Sequence, residues 1–415
     1  MSSVTAPVEP RQEEKALFFN GNLSALALSS AIKALGGFLG VYLPLYFVQI
    51  GGNPTSLGFL TLVASLVQLL FLSVGGIIAD NYGRRRIIVV AALSGLVFPA
   101  LYALVQDWRI FGLLTVFAVV GAISSPATRA TVADSIPPAK RTMGIAALQV
   151  VSSFPSVISP WIGGWFIQQY GLETGFRIGC AYAAVFAFIA TIPLLVWLKE
   201  TVRSKSSENA GSALRNAAYS LVKPSLSGGP SSLKVLMVSY ALVAFANGAV
   251  SQYYVLYASR VVEITAFDWG AVVSLQFLLA SVLKIPGGWL SDRFGKKKVM
   301  TLSLLTAIPM ILVFTLSRSF IQIVVSALLL VAAGIYYAPA HEALQADLTP
   351  RSMRGRISAL WDQSNAIAIG LGALVGGFAF EALGPAVPFY VFALAELGAV
   401  ILIITRVNEP QAREI

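Results

Sequence analysis

Twelve long apolar stretches, separated by short polar breaks, constrain this chain more than any other feature. They run near 23–48, 57–79, 87–105, 111–133, 143–168 and 178–198, then 235–257, 268–290, 299–317, 320–345, 356–380 and 385–405. About 20 consecutive apolar residues cross a hydrocarbon core as one helix, and longer stretches suit tilted helices. Most of these spans lack the polar stripe that a helix at the surface of a soluble protein carries. Composition agrees: 57% of the 415 residues are hydrophobic, 12% are charged, and the mean hydropathy is +0.77. Soluble domains sit near 45–50% apolar and about 25% charged. Twelve helices of about 22 residues take up roughly 264 positions and leave about 150 for loops and tails. The expected fold is therefore an all-α polytopic membrane protein. A soluble enzyme, a disordered chain and a collagenous or disulfide scaffold are excluded. The lone cysteine, Cys180, and the lone histidine, His341, leave no internal disulfide and no thiolate or multi-imidazole metal site.

The net charge of +10 would suggest nucleic acid in a soluble chain. Its placement points to a membrane instead. With the N-terminus on the cytoplasmic side, 22 of the 29 basic residues fall in cytoplasmic segments, among them Arg84–Arg86, Lys140, Arg141 and Lys296–Lys298. Only Arg109, Arg177, Arg260 and Arg318 fall outside, and Lys33, Arg129 and Lys284 lie within spans. This is the positive-inside pattern. It predicts both termini in the cytoplasm and a place in the plasma membrane, with the lipid bilayer as partner and no nucleic acid. Residues 1–15 lack the features of a cleaved signal, so the first helix is expected to be retained. The division expected is a tail over 1–22, a six-helix bundle over 23–200, a linker over 201–233, a second bundle over 234–406 and a tail over 407–415. The Ser-, Gly- and Asn-containing linker reads as a flexible connector. Within it, 212–223 reads equally well as a short interfacial helix or as disordered chain.

The two halves repeat. Gly76-Ile-Ile-Ala-Asp80-Asn-Tyr-Gly83-Arg84-Arg85-Arg86 matches Gly288-Trp-Leu-Ser-Asp292-Arg-Phe-Gly295-Lys296-Lys297-Lys298 at an offset of 212. Gly121, Pro126, Ala127, Asp134, Pro137 and Arg141 match Gly334, Pro339, Ala340, Asp347, Pro350 and Arg354 at an offset of 213. Such register predicts two homologous bundles related by an axis along the membrane normal. Gly76 and Gly288 would let a neighbouring helix approach. Asp80 and Asp292 would bond an Arg or exposed amides. Gly83 and Gly295 permit the tight turn, and the basic triplets hold it at the anionic lipid surface.

At these residues the chain resembles the major facilitator superfamily of secondary transporters, whose Gly-x-x-x-Asp-x-x-Gly-Arg-Lys/Arg motif appears here twice. The segment Pro126 to Arg141 is similar to the family's segment entering the cytoplasmic loop between helices 4 and 5. The resemblance implies two bundles around a central cavity, with helices 1, 4, 7 and 10 lining it and 3, 6, 9 and 12 peripheral. It also implies a latch of charged loop residues: Gly76, Asp80, Gly83, Arg84, Arg129, Asp134 and Arg141 in one half, Gly288, Asp292, Gly295, Lys296, Asp347 and Arg354 in the other. The closest branch is the drug:proton antiporters, with departures. Phe117 stands where that branch often has Arg, and Ser159-Pro160-Trp161-Ile162-Gly163-Gly164 opens on Ser in place of Gly. The earlier spaced glycines of that motif are Ala146 and Pro155.

Charges inside spans are costly and mark candidate sites. Lys33 shares a polar, small stripe with Asn22, Ser29, Gly37 and Gly40 at helical spacing. It reads as an anion anchor or as one side of a salt bridge between bundles. Tyr42 on the same helix, Asn247, Ser251 and Tyr254 on the seventh, and Tyr337 and His341 on the tenth suit a substrate cavity with hydrogen bonds and aromatic faces; packing roles are the competing reading. Glu342 aligns with Arg129 across the repeat, which suggests a latch between bundles. Glu342, Asp362 and Glu396 are the proton-coupling candidates. Asp362 has Lys284 or the basic 2–3 loop as possible partners, and Glu396 lies midway along a helix expected to be peripheral.

No Walker motif, nucleophile elbow or dinucleotide fingerprint occurs, so no cofactor and no enzymatic activity are expected. An ion gradient, of protons, is the expected drive. The function expected is alternating-access transport of a small molecule: proton-coupled efflux of drug-like or amphipathic compounds. Carriage of small organic anions or metabolites, of a lipid or lysolipid, and a transport-inactive sensor remain as alternatives. A monomer is expected.

Overall fold

The computed structural model describes residues 21–136, 141–202, 231–350 and 354–409. Residues 1–20 and 410–415 of the expected tails, and 203–230 of the expected linker with its candidate helix, fall outside them. The side chains of Asp80, Arg141, Lys284, Asp292 and Arg354, and the surroundings of Gly288, are likewise outside the described residues.

Among the described residues, twelve helices are long and apolar enough to cross a membrane. They are α1 Gly21–Gln49, α2 Pro54–Tyr82, α3 Arg84–Tyr102, α4 Trp108–Ser135, α5 Leu148–Tyr170 and α6 Leu172–Trp197. The second half holds α7 Ser231–Arg260, α8 Ala266–Phe294, α9 Lys296–Leu316, α10 Phe320–Leu348, α11 Ile357–Leu383 and α12 Val387–Arg406. Their outer surfaces stay apolar, with Val196, Leu316 and Leu394 each more than 60% exposed. That is the surface of a protein whose solvent is lipid.

Helices α2 and α8 begin with full capping boxes, Asn53 with Ser56 and Thr265 with Asp268, which satisfy their free N–H groups. They end at Gly83 and Gly295, with φ of 97° and 91°. Only glycine adopts this conformation at low cost, so the repeated motif is a repeated turn. These turns define a basic face of the molecule; the Asn53 and Thr265 ends define the far face.

Among the described residues five helices are interrupted within their spans: α5, by the 3-10 segment Phe154–Val157, and four others. A turn over 35–38 breaks α1, and a 3-10 segment Val119–Ser124 breaks α4. Gln252 interrupts α7, and α10 resumes at Tyr337 after Gly334. The last four are the helices expected to line the cavity. The freed groups in α1 are satisfied by α5: Ser159 Oγ accepts from Phe38 N at 2.9 Å and donates to Leu35 O at 3.0 Å. The serine that departs from the family motif therefore caps the break.

The halves meet along α2–α11 and α5–α8 toward the far face. Glu381 accepts from Asn53 Nδ2 and Thr55 N at 3.0 and 3.1 Å. Tyr253 OH donates to Ala373 O at 2.7 Å and lies 3.3 Å from Pro54 O. Tyr42 OH lies 2.8 Å from Pro160 O and 2.9 Å from Ala266 O. Toward the basic face, by contrast, Arg129 and Asp362 keep 65% and 50% of their side chains exposed although both lie within helices. They line a polar cleft of about 540 Å³ with Gln68, Ser124, Thr128 and Asn365. The conformer is sealed on the far face and open on the basic face.

Candidate functional site

Besides the cleft, each bundle holds a cavity. The C-terminal cavity, about 570 Å³, is walled by α7, α8, α9, α10 and α12 and reaches Gly40 and Val41 of α1. Asn247, Ser251, Tyr254 and Tyr337 line it, as the sequence suggested. Tyr254 packs edge-on against Phe314, with ring centroids 5.2 Å apart. Asn247 Nδ2 donates to Val243 O at 2.9 Å, which leaves its carbonyl oxygen facing the cavity.

Glu396 also lines this cavity. It was expected on a peripheral helix, yet α12 turns it inward, and it is only 3% exposed. Its Oε2 has no hydrogen-bond partner, nor does the Tyr337 hydroxyl in the same wall. Burying such groups unpaired is expensive, so they form the polar focus of an otherwise apolar chamber. Leu304, Ala307 and Phe314 of α9 also contribute, so α9 and α12 are not merely peripheral.

The N-terminal cavity, about 600 Å³, lies between α1, α3, α4 and α6. Lys33 enters it, with its Cε beside Gly95, where a Cβ would stand 3.3 Å away. No carboxylate among the described residues pairs with it, so the expected salt bridge between bundles is not formed in this conformer.

Several expected cavity residues do other work. Asn22 sits at the basic face, not in a cavity: its Oδ1 accepts from Lys199 N at 2.7 Å. Ser232 Oγ accepts from Asn408 N at 3.1 Å in the other half, so the tether is a repeated one. Tyr42 is fully buried in the α5–α8 seam. His341 is buried within the C-terminal bundle, stacked on Tyr240 at 4.5 Å and near Trp361 and Tyr337. Burial among rings removes it from the cavity wall.

The latch residues assemble within each half. Arg84 pairs with Asp134, and Lys296 pairs with Asp347. Each joins the basic turn to the end of α4 or α10, at repeat-equivalent positions. Arg129, however, faces Asp362 at 3.7 Å and not Glu342. The seam carries α11 against α2, and the cleft beside it holds both Arg129 and Asp362, whereas Glu342 is exposed on α10 and does not line that cleft. Gly76 does not carry the close approach expected of it; a Cβ there would meet only Pro126 Cβ at 3.7 Å. Its neighbour Gly75 does, with Ile123 O at 2.2 Å from the same point.

Sequence reasoning missed a second repeated pair, Glu200 and Glu409. Glu200 accepts from the backbone N–H of Arg84, Arg85, Thr201 and Val202. Glu409 accepts from Lys296 N at 2.9 Å and Lys297 N at 3.4 Å. Each carboxylate caps the start of α3 or α9, where unpaired N–H groups favour an anion. The signal was a glutamate shortly after the last helix of each half. Partial burial raises the Glu200 pKa, but the four N–H donors outweigh it and hold the group below the ordinary glutamate range. A depressed pKa adds stability above the unfolded value and loses it as pH falls through the folded one. Glu200→Gln is therefore expected to lower the melting temperature in detergent at pH 7 by about 2 °C, the scale of one exposed cap. The wild type should lose this advantage as pH drops below about 4.3, the ordinary glutamate pKa, so that the two melting curves converge. A constant gap down to acid pH would refute the assignment.

The family model described as Major Facilitator Superfamily matches residues 23–268 and 236–415. The chain belongs to this superfamily. The facilitator is similar to the multidrug resistance protein MdtG of Proteus mirabilis (strain HI4320), with 26% identity over 370 residues, covering 84% of this chain and 86% of that protein. MdtG of Klebsiella pneumoniae (strain 342) is 23% identical over 392 residues, covering 91% and 89%. Among solved structures, the human organic anion transporter MFSD10 aligns with a TM-score of 0.65 at 17% identity, covering 92% and 99%. The nucleoside transporter NupG aligns with a TM-score of 0.73 at 13% identity, also covering 92% and 99%. These structural likenesses share the fold. The facilitator is an integral membrane transporter with twelve spanning helices.

Proposed function

We propose that this facilitator is a proton-coupled exporter of amphipathic, drug-like compounds, acting as a monomer in the plasma membrane. The basic face is cytoplasmic on the positive-inside rule, so this conformer is the loading state. The observation that carries the reading is the C-terminal cavity: an aromatic, mostly apolar chamber with one buried carboxyl, Glu396. Apolar walls with few polar groups hold varied ligands with little geometric demand. The similarity to MdtG supports the same class of cargo. Of the three coupling candidates, Glu342 is exposed and Asp362 faces Arg129. Glu396 alone combines burial, a free oxygen and access to the cavity. An unpaired carboxyl there holds either a proton or a cation, which is the exchange that coupling needs. Carriage of organic anions is the second reading, and Lys33 in the N-terminal cavity favours it.

The test is proteoliposomes with a trapped pH dye, a panel of cationic, neutral and anionic compounds, and Glu396→Gln alongside. The expected result is proton movement on adding particular compounds, lost in Glu396→Gln while exchange of labelled compound persists. Labelled compound moving with no proton signal in the wild type would replace coupling with uniport. A proton signal undiminished in Glu396→Gln would remove that residue from the mechanism.

A further inference from the structure

The two cavities are one architectural element built twice. Helices α1, α3, α4 and α6 wall the first; their repeat equivalents α7, α9, α10 and α12 wall the second, where α8 adds a further wall. Gly121 and Gly334 occupy matching places in the two walls, as do Tyr102 and Phe314. The charges do not match. Lys33 has an apolar counterpart in the second half, Ala244, at the spacing that relates Tyr42 to Tyr253 and Tyr46 to Tyr257, and Glu396 has Ala183 in the first. A charge required by the fold would recur in both copies, as Arg84–Asp134 and Lys296–Asp347 do. Lys33 and Glu396 are therefore additions to a duplicated frame.

Among the described residues, both are also without a counter-charge. Glu396 is 97% buried, has an unpartnered Oε2 and lines its cavity. Lys33 has no carboxylate partner among the described residues and reaches across its cavity to Gly95. Glu396 is buried within its span without a partner, which is costly, and Lys33 stands exposed to its cavity within a span, so each position favours a ligand of opposite sign. The cavities come together at the broken segment of α1. Gly37 and Leu39 line the first, Gly40 and Val41 the second. A Cβ on Gly40 would meet nothing within 4 Å, so there is open space at the junction.

We propose that Lys33 and Glu396 are the two poles of one substrate site, and that the preferred cargo is a dipolar amphiphile. Lys33 holds its acidic group, Glu396 holds its ammonium, and its apolar body crosses the gap beside Gly40. Tyr254, Trp269 and Phe314 give the Glu396 end the aromatic faces that suit an ammonium. This rests on the export reading above and narrows its cargo.

The experiment uses one aromatic amino-acid scaffold in four forms: the zwitterion, its ester (cation only), its N-acetyl derivative (anion only) and the doubly blocked neutral compound. Counterflow of each is measured in proteoliposomes holding the wild type, Lys33→Met, Lys33→Arg or Glu396→Gln, all checked for an unchanged melting temperature. The wild type should take the zwitterion about tenfold better than either single-charge form, the scale of one charge-assisted hydrogen bond. Lys33→Met should bring the zwitterion down to the ester, and Lys33→Arg should restore the gap. Glu396→Gln should bring the zwitterion down to the N-acetyl form. Four forms carried within twofold of one another, or variants that lower all four equally, would overturn the dipolar site while leaving the exporter intact. No movement of these four or of any cationic, neutral or anionic compound in the wider panel would overturn the export reading itself, and the site with it.

Discussion

Gly58→Val is expected to open the far face. A Cβ on Gly58 would stand 2.3 Å from Ala373 O and 2.8 Å from the Tyr253 hydroxyl. This is where α2 of one half crosses α11 of the other, and the obstacle is backbone, which does not turn aside as a flexible side chain does. Gly370 and Gly377 of α11 face the same seam, against Leu62 and Pro54 O. Overpacking of this kind costs about 1–3 kcal/mol. Alternating access requires the seam to part in the other conformer, so the cost falls on one state alone and shifts the equilibrium by about 5- to 150-fold. Spin labels at Leu104→Cys and Leu383→Cys, both near the far face and exposed, should move apart. The native Cys180 is fully buried, so the introduced cysteines take the label. Turnover should fall at least about tenfold, with little loss of melting temperature. A label distance unchanged from the wild type would mean that the seam does not part there.

What could be read from the sequence was whatever depends on spacing along the chain. The twelve spans needed only length and hydropathy. Arg84, Asp134, Lys296 and Asp347 stand out because the repeat marks both copies, although their pairing shows only in the structure. What could not be read depends on the rotation of each helix about its axis. In a soluble helix the polar stripe reports that rotation; here lipid and protein interior are equally apolar, so no stripe exists. The close approach expected at Gly76 falls at Gly75, and one residue is a turn of about 100°. Glu396 was assigned to a peripheral helix, and only its contacts show that it points inward. Arg129 was paired with Glu342 because the repeat aligns them. Equivalence under an axis says that two residues lie at one depth, not that they touch. The partner, Asp362, has no charged repeat counterpart to mark it, since Gln149 stands there. Asn22 and Ser232 form a repeated tether from unlike residues, so identity matching passed over it.

The same steric insult within one bundle should have the opposite character. Gly248, Gly372 and Gly376 sit where α7 crosses α11 inside the C-terminal half. A Cβ on each would lie 2.2 Å from Ile369 O, 2.0 Å from Phe245 O and 2.1 Å from Ala249 O respectively. Small residues four apart let two backbones touch, and without a hydrophobic drive in lipid that contact is the main source of cohesion. Gly376→Leu must separate the helices by more than a side chain can accommodate. The expected cost is about 3 kcal/mol or more, at the upper end of overpacking. Unlike the α2–α11 seam, this crossing lies within a bundle that moves as a body, so every conformer bears the cost and none is favoured. The variant should lose its monodisperse elution and several degrees of melting temperature, and substrate should not restore either. Gly58→Val, which is as crowded, should remain folded. Should Gly376→Leu elute and melt like the wild type while the spin labels report a shifted equilibrium, the α7–α11 crossing would be a moving joint and the rigid-bundle account of this facilitator would fail.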